Sequence, residues 1–371
     1  MKSLENLLLL VLCLLYLPFR GSARREIKYP KRVCIIQSAQ FGDMICTTPV
    51  FRAIKEAYPD SKVYVVGKAI NREVLRNNPD VEDFIVWKEK PFETIKEIRK
   101  LRCDFGASTG PNFVGLAILF LSGVKSIAAA EIKEGSSPLE TRPYKILRNV
   151  AHVVPHIITA YPPKEYLKLL RPIGITSTDT TKHVYYSLEA KKSAEEKILT
   201  SPIGNRKFAI VVPGAGHYAK RWLPERFASV ARHVASTYMP VAVIGGERDR
   251  EDVAEMMKNV NHPDIVNFAE ALSIDELKTF ISLSSLFVSL DTGPLFIAEA
   301  FGVPTVCIIG PVDGVQPPRG PKNILIFPRR DRPAALAMFN TIRFDIEEAK
   351  RQSKATQVSE VIDAVDRLMA G

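Results

Sequence analysis

Ser289-Leu290-Asp291-Thr292-Gly293-Pro294, entered from Leu286-Phe287-Val288 and left through Ile297-Ala298-Glu299-Ala300, reads as a buried strand ending in an acid and a tight turn, with Pro294 opening a new helix. Such a helix start leaves backbone N–H groups unpaired. Together with the positive end of the helix dipole they make a place for a phosphate or pyrophosphate. A strand–turn–helix unit is also the plain connector of every parallel α/β protein, so the segment takes its meaning from its neighbours.

Working outward, short apolar runs alternate with amphipathic segments. The first half offers strands at Val33–Gln37, Lys62–Val66, Phe84–Trp87, Phe105–Ser108 and Ser126–Ala130, with helices such as Pro49–Tyr58 and Phe92–Leu101 among them. The second offers strands at Phe208–Val212, Val241–Ile244, Ile265–Asn267, Leu286–Leu290 and Thr305–Ile309. Its helices are expected near Pro224–Tyr238, Arg250–Lys258, Ile274–Leu283, Pro294–Phe301 and Val358–Met369. Strands spaced by helices imply parallel sheets covered on both faces. The turn-rich stretch Arg171–Thr181 suits a linker. The expected organisation is a hydrophobic and basic segment at 1–28, Rossmann-like domains at 29–175 and 182–345, and a carboxy-terminal helix at 346–371. Two doubly wound domains of this kind would face a central cleft lined by the carboxyl ends of their strands.

Three more segments would border that cleft. In Gln37-Ser38-Ala39-Gln40-Phe41-Gly42-Asp43-Met44-Ile45-Cys46-Thr47-Thr48-Pro49, a strand end and glycine turn lead to an acid and a helix opening. Asp43 would sit at the cleft edge, as a catalytic carboxylate or as a turn and helix cap. In Val212-Pro213-Gly214-Ala215-Gly216-His217-Tyr218-Ala219-Lys220-Arg221-Trp222, the glycines let a ligand approach the backbone, Lys220 and Arg221 can neutralise phosphate, and Trp222 anchors the next helix. The loop lacks the Gly-Lys-Ser/Thr ending of a Walker motif. In Gly245-Gly246-Glu247 a carboxylate after a strand end can accept hydrogen bonds from ribose hydroxyls, or be a solvated surface charge.

At 371 residues with 46% hydrophobic content the chain can bury two ordinary cores. A net charge of +10 points to anionic partners. With no zinc-finger spacing or basic-aromatic RNA motif, nucleic acid is the least supported of them. Five scattered cysteines without C-x-x-C suit reduced, buried thiols. His152 and His156 have helical i,i+4 spacing, but Pro155 lies between them and no third metal ligand is apparent. The apolar run Leu7–Leu17 is short for a bilayer crossing and is followed by Arg20, Arg24, Arg25, Lys28, Lys31 and Arg32. Positive charge placed after the apolar run argues for retention on the cytoplasmic side. An interfacial anchor is expected, with a helix packed on the protein itself as the alternative.

With these motifs in order, the chain from about Lys31 to Gly310 resembles the ADP-heptose:lipopolysaccharide heptosyltransferases, glycosyltransferase family nine. The resemblance rests on four motifs: Phe41–Pro49 followed by Arg52-Ala53-Ile54-Lys55 and Tyr58-Pro59; Pro213-Gly214-Ala215 with Lys220-Arg221-Trp222; Gly245-Gly246-Glu247; and Asp291-Thr292-Gly293-Pro294 with Gly302-Val303-Pro304.

The resemblance implies a GT-B fold with an amino-terminal acceptor domain and a carboxy-terminal donor domain. It implies Asp43 as general base, with Gly42, Thr47 and Thr48 on the acceptor side. Lys220 and Arg221 would serve the donor phosphates, and Glu247 the ribose. Asp291, Thr292, Gly293 and Pro294, with Gly214, would cradle the diphosphate. The implied partners are a nucleotide-sugar donor, ADP-heptose, a lipid-linked or glycan acceptor of the cell envelope, and the inner face of the cytoplasmic membrane. No cofactor is implied, with magnesium on the diphosphate as the open alternative. Direct displacement on such a donor inverts the anomeric centre. Phe296 departs from the family's usual histidine after the Asp-x-Gly-Pro turn, which leaves a non-catalytic nucleotide-sugar binder as the second candidate. A dehydrogenase lacks its Gly-x-Gly-x-x-Gly.

Overall fold

The computed structural model describes residues 2–88, 90–134, 137–314, 316–335 and 345–370. The chain divides into two compact units, Met1–His183 and Val184–Gly371. In the first, strands β1 (Arg32–Gln37), β2 (Lys62–Gly67), β3 (Asp83–Val86), β4 (Phe105–Ser108), β5 (Ser126–Glu134) and β6 (His152–Ile157) form a parallel sheet in the order β3-β2-β1-β4-β5-β6. In the second, β7 (Ala209–Val212), β8 (Val241–Val243), β9 (Ile265–Asn267), β10 (Leu286–Leu290), β11 (Thr305–Ile308) and β12 (Asn323–Ile326) form a parallel sheet in the order β12-β11-β10-β7-β8-β9.

Both sheets follow one plan. The first strand of each unit pairs with the fourth, the second and third extend to one side, and the fifth and sixth to the other. Successive crossovers therefore leave in opposite directions between β1 and β4, and between β7 and β10. A crevice opens at the carboxyl ends of those pairs, where doubly wound sheets hold their ligands. The central strands are buried on both faces, because helices cover each side: β7 and β10 throughout, and β1 after its first residue. That double burial is why they read as unbroken apolar runs. Each unit has its own core, one built around Ile36, Phe113 and Phe120, the other around Trp222, Phe227 and Val288.

Two strands were not legible in the sequence. Asn323–Ile326 pairs with β11 at one edge of its sheet. His152–Ile157 is the edge strand β6, paired to β5, so the N–H that Pro155 lacks is missed least there. This corrects the helical reading of His152 and His156. On a strand, four residues span about 13 Å, too far for both rings to share one metal ion.

The helix Lys2–Arg20 packs against the helices Phe113–Leu121 and Arg142–Leu147. It buries Leu9, Leu10 and Cys13. Arg20 stacks over the Phe120 ring at 4.2 Å and donates to the Val124 carbonyl. The chain beyond it bridges to Ala151 and Ser126 through Ala23 and Arg24. Among the described residues no helix is long and apolar enough to cross a membrane. The helix Val358–Ala370, whose destination the sequence left open, packs on the helix Pro224–Thr237 and against β11 and β12. The stretch 336–344, within the second expected domain, lies outside the described residues.

Candidate functional site

In the second unit the crevice between β7 and β10 is built from two loops. The chain leaves β7 through Pro213-Gly214-Ala215-Gly216 and tightens into a 3-10 turn at Tyr218–Lys220, where the His217 ring accepts a hydrogen bond from the Ala219 N–H (3.2 Å). That turn is held from behind. Ser353 donates to the Ala219 carbonyl (2.5 Å), and the buried Trp222 indole donates to the Thr356 carbonyl (3.1 Å) while meeting Phe227 edge-on. The carboxy-terminal segment thus fixes the loop, an arrangement with no local sequence signal.

The turn delivers Lys220 to the end of β10. Its ammonium donates to the Asp291 carbonyl (2.6 Å) and carboxylate (2.8 Å), both side chains being about nine-tenths buried. A cation buried on this scale is held only where partners satisfy it. Thr292 follows in extended conformation as the N-cap of the helix Gly293–Ala300, and its side chain makes no capping bond. Pro294 has no N–H, so the helix start offers the Gly293 amide and the Thr292 hydroxyl at its positive end. Lys220, 71 residues before Asp291 in sequence, therefore shares one corner of the sheet with the consecutive Asp291, Thr292 and Gly293. Phe296 sits inside that helix with its ring buried.

The remaining residues singled out in this unit have different surroundings. Arg221 pairs with Asp252 (3.0 Å) and donates to the Arg248 carbonyl, joining the loop to the helix Arg250–Lys258. Burial pushes the Asp252 carboxyl up, with Arg221 opposing. Glu247 is exposed at the first position of the 3-10 turn after β8. The space beside Gly214 is already taken, since a Cβ there would lie 2.0 Å from the Asp249 carboxylate, which accepts from the Gly246 N–H (2.9 Å). Gly216, by contrast, faces open space. A side chain at position 214 would thus meet the protein's own Asp249, whereas one at position 216 would meet open space. Two residues the sequence reading missed also shape this end of the sheet. Asp249 is one. Arg330 is the other, donating to the Gly310 and Val312 carbonyls and so holding the loop after β11.

In the first unit the corresponding crevice lies between β1 and β4. The helix Phe41–Ile45 begins there, and Asp43 accepts from the Gln40 N–H (3.0 Å) while remaining nearly buried. This is the capping role the sequence allowed it. The Asp43 backbone is pinned as well: its carbonyl accepts from Thr47 Oγ1 (2.7 Å), which in turn accepts from Gln37 Nε2 (3.1 Å). The Tyr166 phenol hydrogen-bonds Gln37. Burial first, and then the Asp43 charge, push its pKa well above the usual value. Tyr166 comes from the helix Pro162–Lys168, and nothing in the sequence ties it to Asp43.

Gly42, Thr47 and Thr48 are all buried. Thr48 donates to the Ile45 carbonyl (2.8 Å) and accepts from the His183 N–H (2.9 Å). Both threonine hydroxyls are engaged by other groups of the first unit, so they shape the backbone that carries Asp43. Among the described residues no group of three or more His, Cys, Asp or Glu side chains is placed to hold a metal ion.

The model of glycosyltransferase family 9 (heptosyltransferase) matches residues 126–330, more than half of the chain. Lipopolysaccharide heptosyltransferase 3 of Escherichia coli K12 is 23% identical over 340 residues, covering 88% of this chain and 95% of that protein. A family 9 glycosyl transferase from Veillonella parvula DSM 2008 superposes with a TM-score of 0.76 at 18% identity, over 94% of this chain and 99% of that one. The E. coli heptosyltransferase WaaC, solved with ADP-2-deoxy-2-fluoro heptose, superposes with a TM-score of 0.64 at 13% identity, over 90% and 99%. The structural likenesses carry the fold, GT-B, and the family match carries the class of enzyme. The chain belongs to glycosyltransferase family 9, the heptosyltransferases.

Proposed function

We propose that this glycosyltransferase moves a heptose from ADP-heptose to a sugar hydroxyl of a lipopolysaccharide acceptor, with inversion at the anomeric carbon. The observation that carries the donor assignment is the buried Lys220–Asp291 pair beside the uncapped start of the helix Gly293–Ala300. A diphosphate brought to that corner competes with Asp291 for the Lys220 ammonium and meets the Gly293 amide and the Thr292 hydroxyl. The names of the relatives support the acceptor, and WaaC, solved with a fluorinated ADP-heptose, supports the donor.

The chemistry follows from where charge develops. As the acceptor oxygen bonds to the anomeric carbon, the bond to the β-phosphate oxygen breaks, and negative charge grows on the departing ADP. Lys220 and the helix start meet that charge better in the transition state than in the ground state. The acceptor proton passes to the Asp43 carboxylate, held ready by Gln40 and by the Gln37–Thr47 bonds to its backbone. Glu247 takes the ribose hydroxyls from the end of β8. No resident metal enters these steps. The acceptor is lipid-linked, so the enzyme works at the cytoplasmic face of the membrane.

Purified enzyme supplied with ADP-heptose and a lipopolysaccharide core acceptor tests this. Acceptor-dependent ADP release and a product of inverted anomeric configuration by NMR are expected. Retained configuration, or turnover with other nucleotide-sugars but not ADP-heptose, would overturn it.

A further inference from the structure

The helix Lys2–Arg20 is apolar on two faces, and the protein covers only one. Leu9, Leu10 and Cys13 face the core, while Leu4, Leu8, Val11, Leu15 and Phe19 stand exposed, from 42% at Val11 to 88% at Phe19. Their three- and four-residue intervals align them in one stripe along the outside of the helix. A contiguous stripe of this kind differs from scattered surface leucines and marks a surface that something covers. The chain beyond the helix is cationic: Arg24, Arg25, Lys28 and Lys31 are exposed, with Glu26 the one acid in that stretch. The helix Arg142–Leu147, packed alongside, adds exposed Arg142 and Ile146.

We propose that this face is a lipid-docking surface. The helix lies in the plane of an anionic bilayer, with its outer stripe among the upper acyl chains and the following cations on lipid phosphates. Arg20, held to Val124 and Phe120, and the buried inner face fasten the helix to the first unit, and among the described residues no helix is long and apolar enough to cross a membrane. Charge selects the occupant. Pairing two copies along the stripe would bring like-charged segments together, whereas an anionic lipid surface satisfies both the apolar stripe and the cations beside it. The inference deepens the membrane-surface part of the proposed function and rests on it for its purpose, but lipid binding tests it without any transfer reaction.

The full-length protein is to be sedimented with phosphatidylglycerol-containing vesicles and with phosphatidylcholine vesicles. Binding to the anionic vesicles, weakened by salt, is expected. Leu8→Glu with Leu15→Glu should lower the partition by at least about ten-fold, and Arg25→Glu with Lys28→Glu should abolish the preference for anionic lipid. Because the four positions are exposed, melting temperature and transfer to a soluble acceptor should stay at wild-type levels. In Phe19→Trp, emission should shift to the blue and be quenched by acyl-brominated lipid, against the background of Trp87 and Trp222. Wild-type protein left in the supernatant, or a leucine variant that sediments like wild type, would overturn the docking surface. A lipid-independent dimer dissolved by the leucine variant would overturn it too, by assigning the face to a second copy. Bilayer binding without heptosyl transfer would instead refute the proposed reaction and leave the docking surface standing.

Discussion

Replacing Lys220 with alanine tests the donor corner in two independent ways. The Lys220–Asp291 contact is 2.8 Å long, and the two side chains are 8% and 11% exposed. Removing the ammonium strands a carboxylate with little water to replace its partner, a loss of about 3 kcal/mol in stability. For a unit of this size that corresponds to a fall in melting temperature of roughly 6–12 °C. The same substitution removes a charge-assisted hydrogen bond to the donor phosphates, worth about 1.5–3 kcal/mol, or roughly 10- to 150-fold in the Kd for ADP. Adding Asp291→Asn separates the two effects. The double variant no longer carries the stranded charge and should recover much of the melting temperature by calorimetry, but titration calorimetry should show no recovery of ADP affinity. Should Lys220→Ala bind ADP with wild-type affinity, the lysine does not serve the diphosphate, whatever its effect on stability. Should it melt like wild type, the buried pair is not the compensated charge described here.

Asp43→Asn keeps an oxygen able to accept from the Gln40 N–H but loses the basicity, so kcat should fall by about 10²- to 10⁴-fold with ADP affinity little changed; unchanged turnover would exclude the base role. Gly214→Ala places a methyl group on the Asp249 carboxylate and should destabilise by roughly 1–3 kcal/mol in a denaturant titration, whereas Gly216→Ala should stay within about 0.5 kcal/mol of wild type. Glu276 is held down to about 2: burial opposes its ionisation, but hydrogen bonds from Lys197, Ser193 and Ser273 outweigh it. Because its folded pKa lies below the ordinary 4.5, its contribution is complete above that value and is lost as the pH falls toward about 2. Melts across that window should show Glu276→Gln less sensitive to acid than wild type, and parallel curves would refute the assignment.

The edges of the sheets explain where local reading failed. Central strands such as Leu286–Leu290 are buried on both faces, so an unbroken apolar run reports them directly. The edge strand β6 contains a proline and two histidines and is half exposed, so its composition resembles a loop or a broken helix. The edge strand β12 is four residues long and only its last is buried, too little for a periodicity. At the candidate site, Asp43, Lys220 and Asp291 were legible because each follows a strand end in a recognisable turn. Tyr166, Asp249 and Arg330 were not, since each acts from an element whose neighbours only folding supplies. Gly214 was legible as a necessary glycine, but what fills the space beside it was not.

By itself, the sequence determined the alternation of buried strands and helices, the four turn motifs and the family they carry, because these depend on contacts within a few residues and on the burial that parallel strands require. Only the tertiary structure decided that Lys220 is neutralised by Asp291, that Tyr166 and His183 come from far along the chain to the loop carrying Asp43, and that the amino-terminal helix has one face covered and one bare. The physical reason is common to all three. A side chain's charge balance, hydrogen-bond partners and exposure are set by whatever the fold brings beside it, and across the β7–β10 crevice those neighbours arrive from more than seventy residues away.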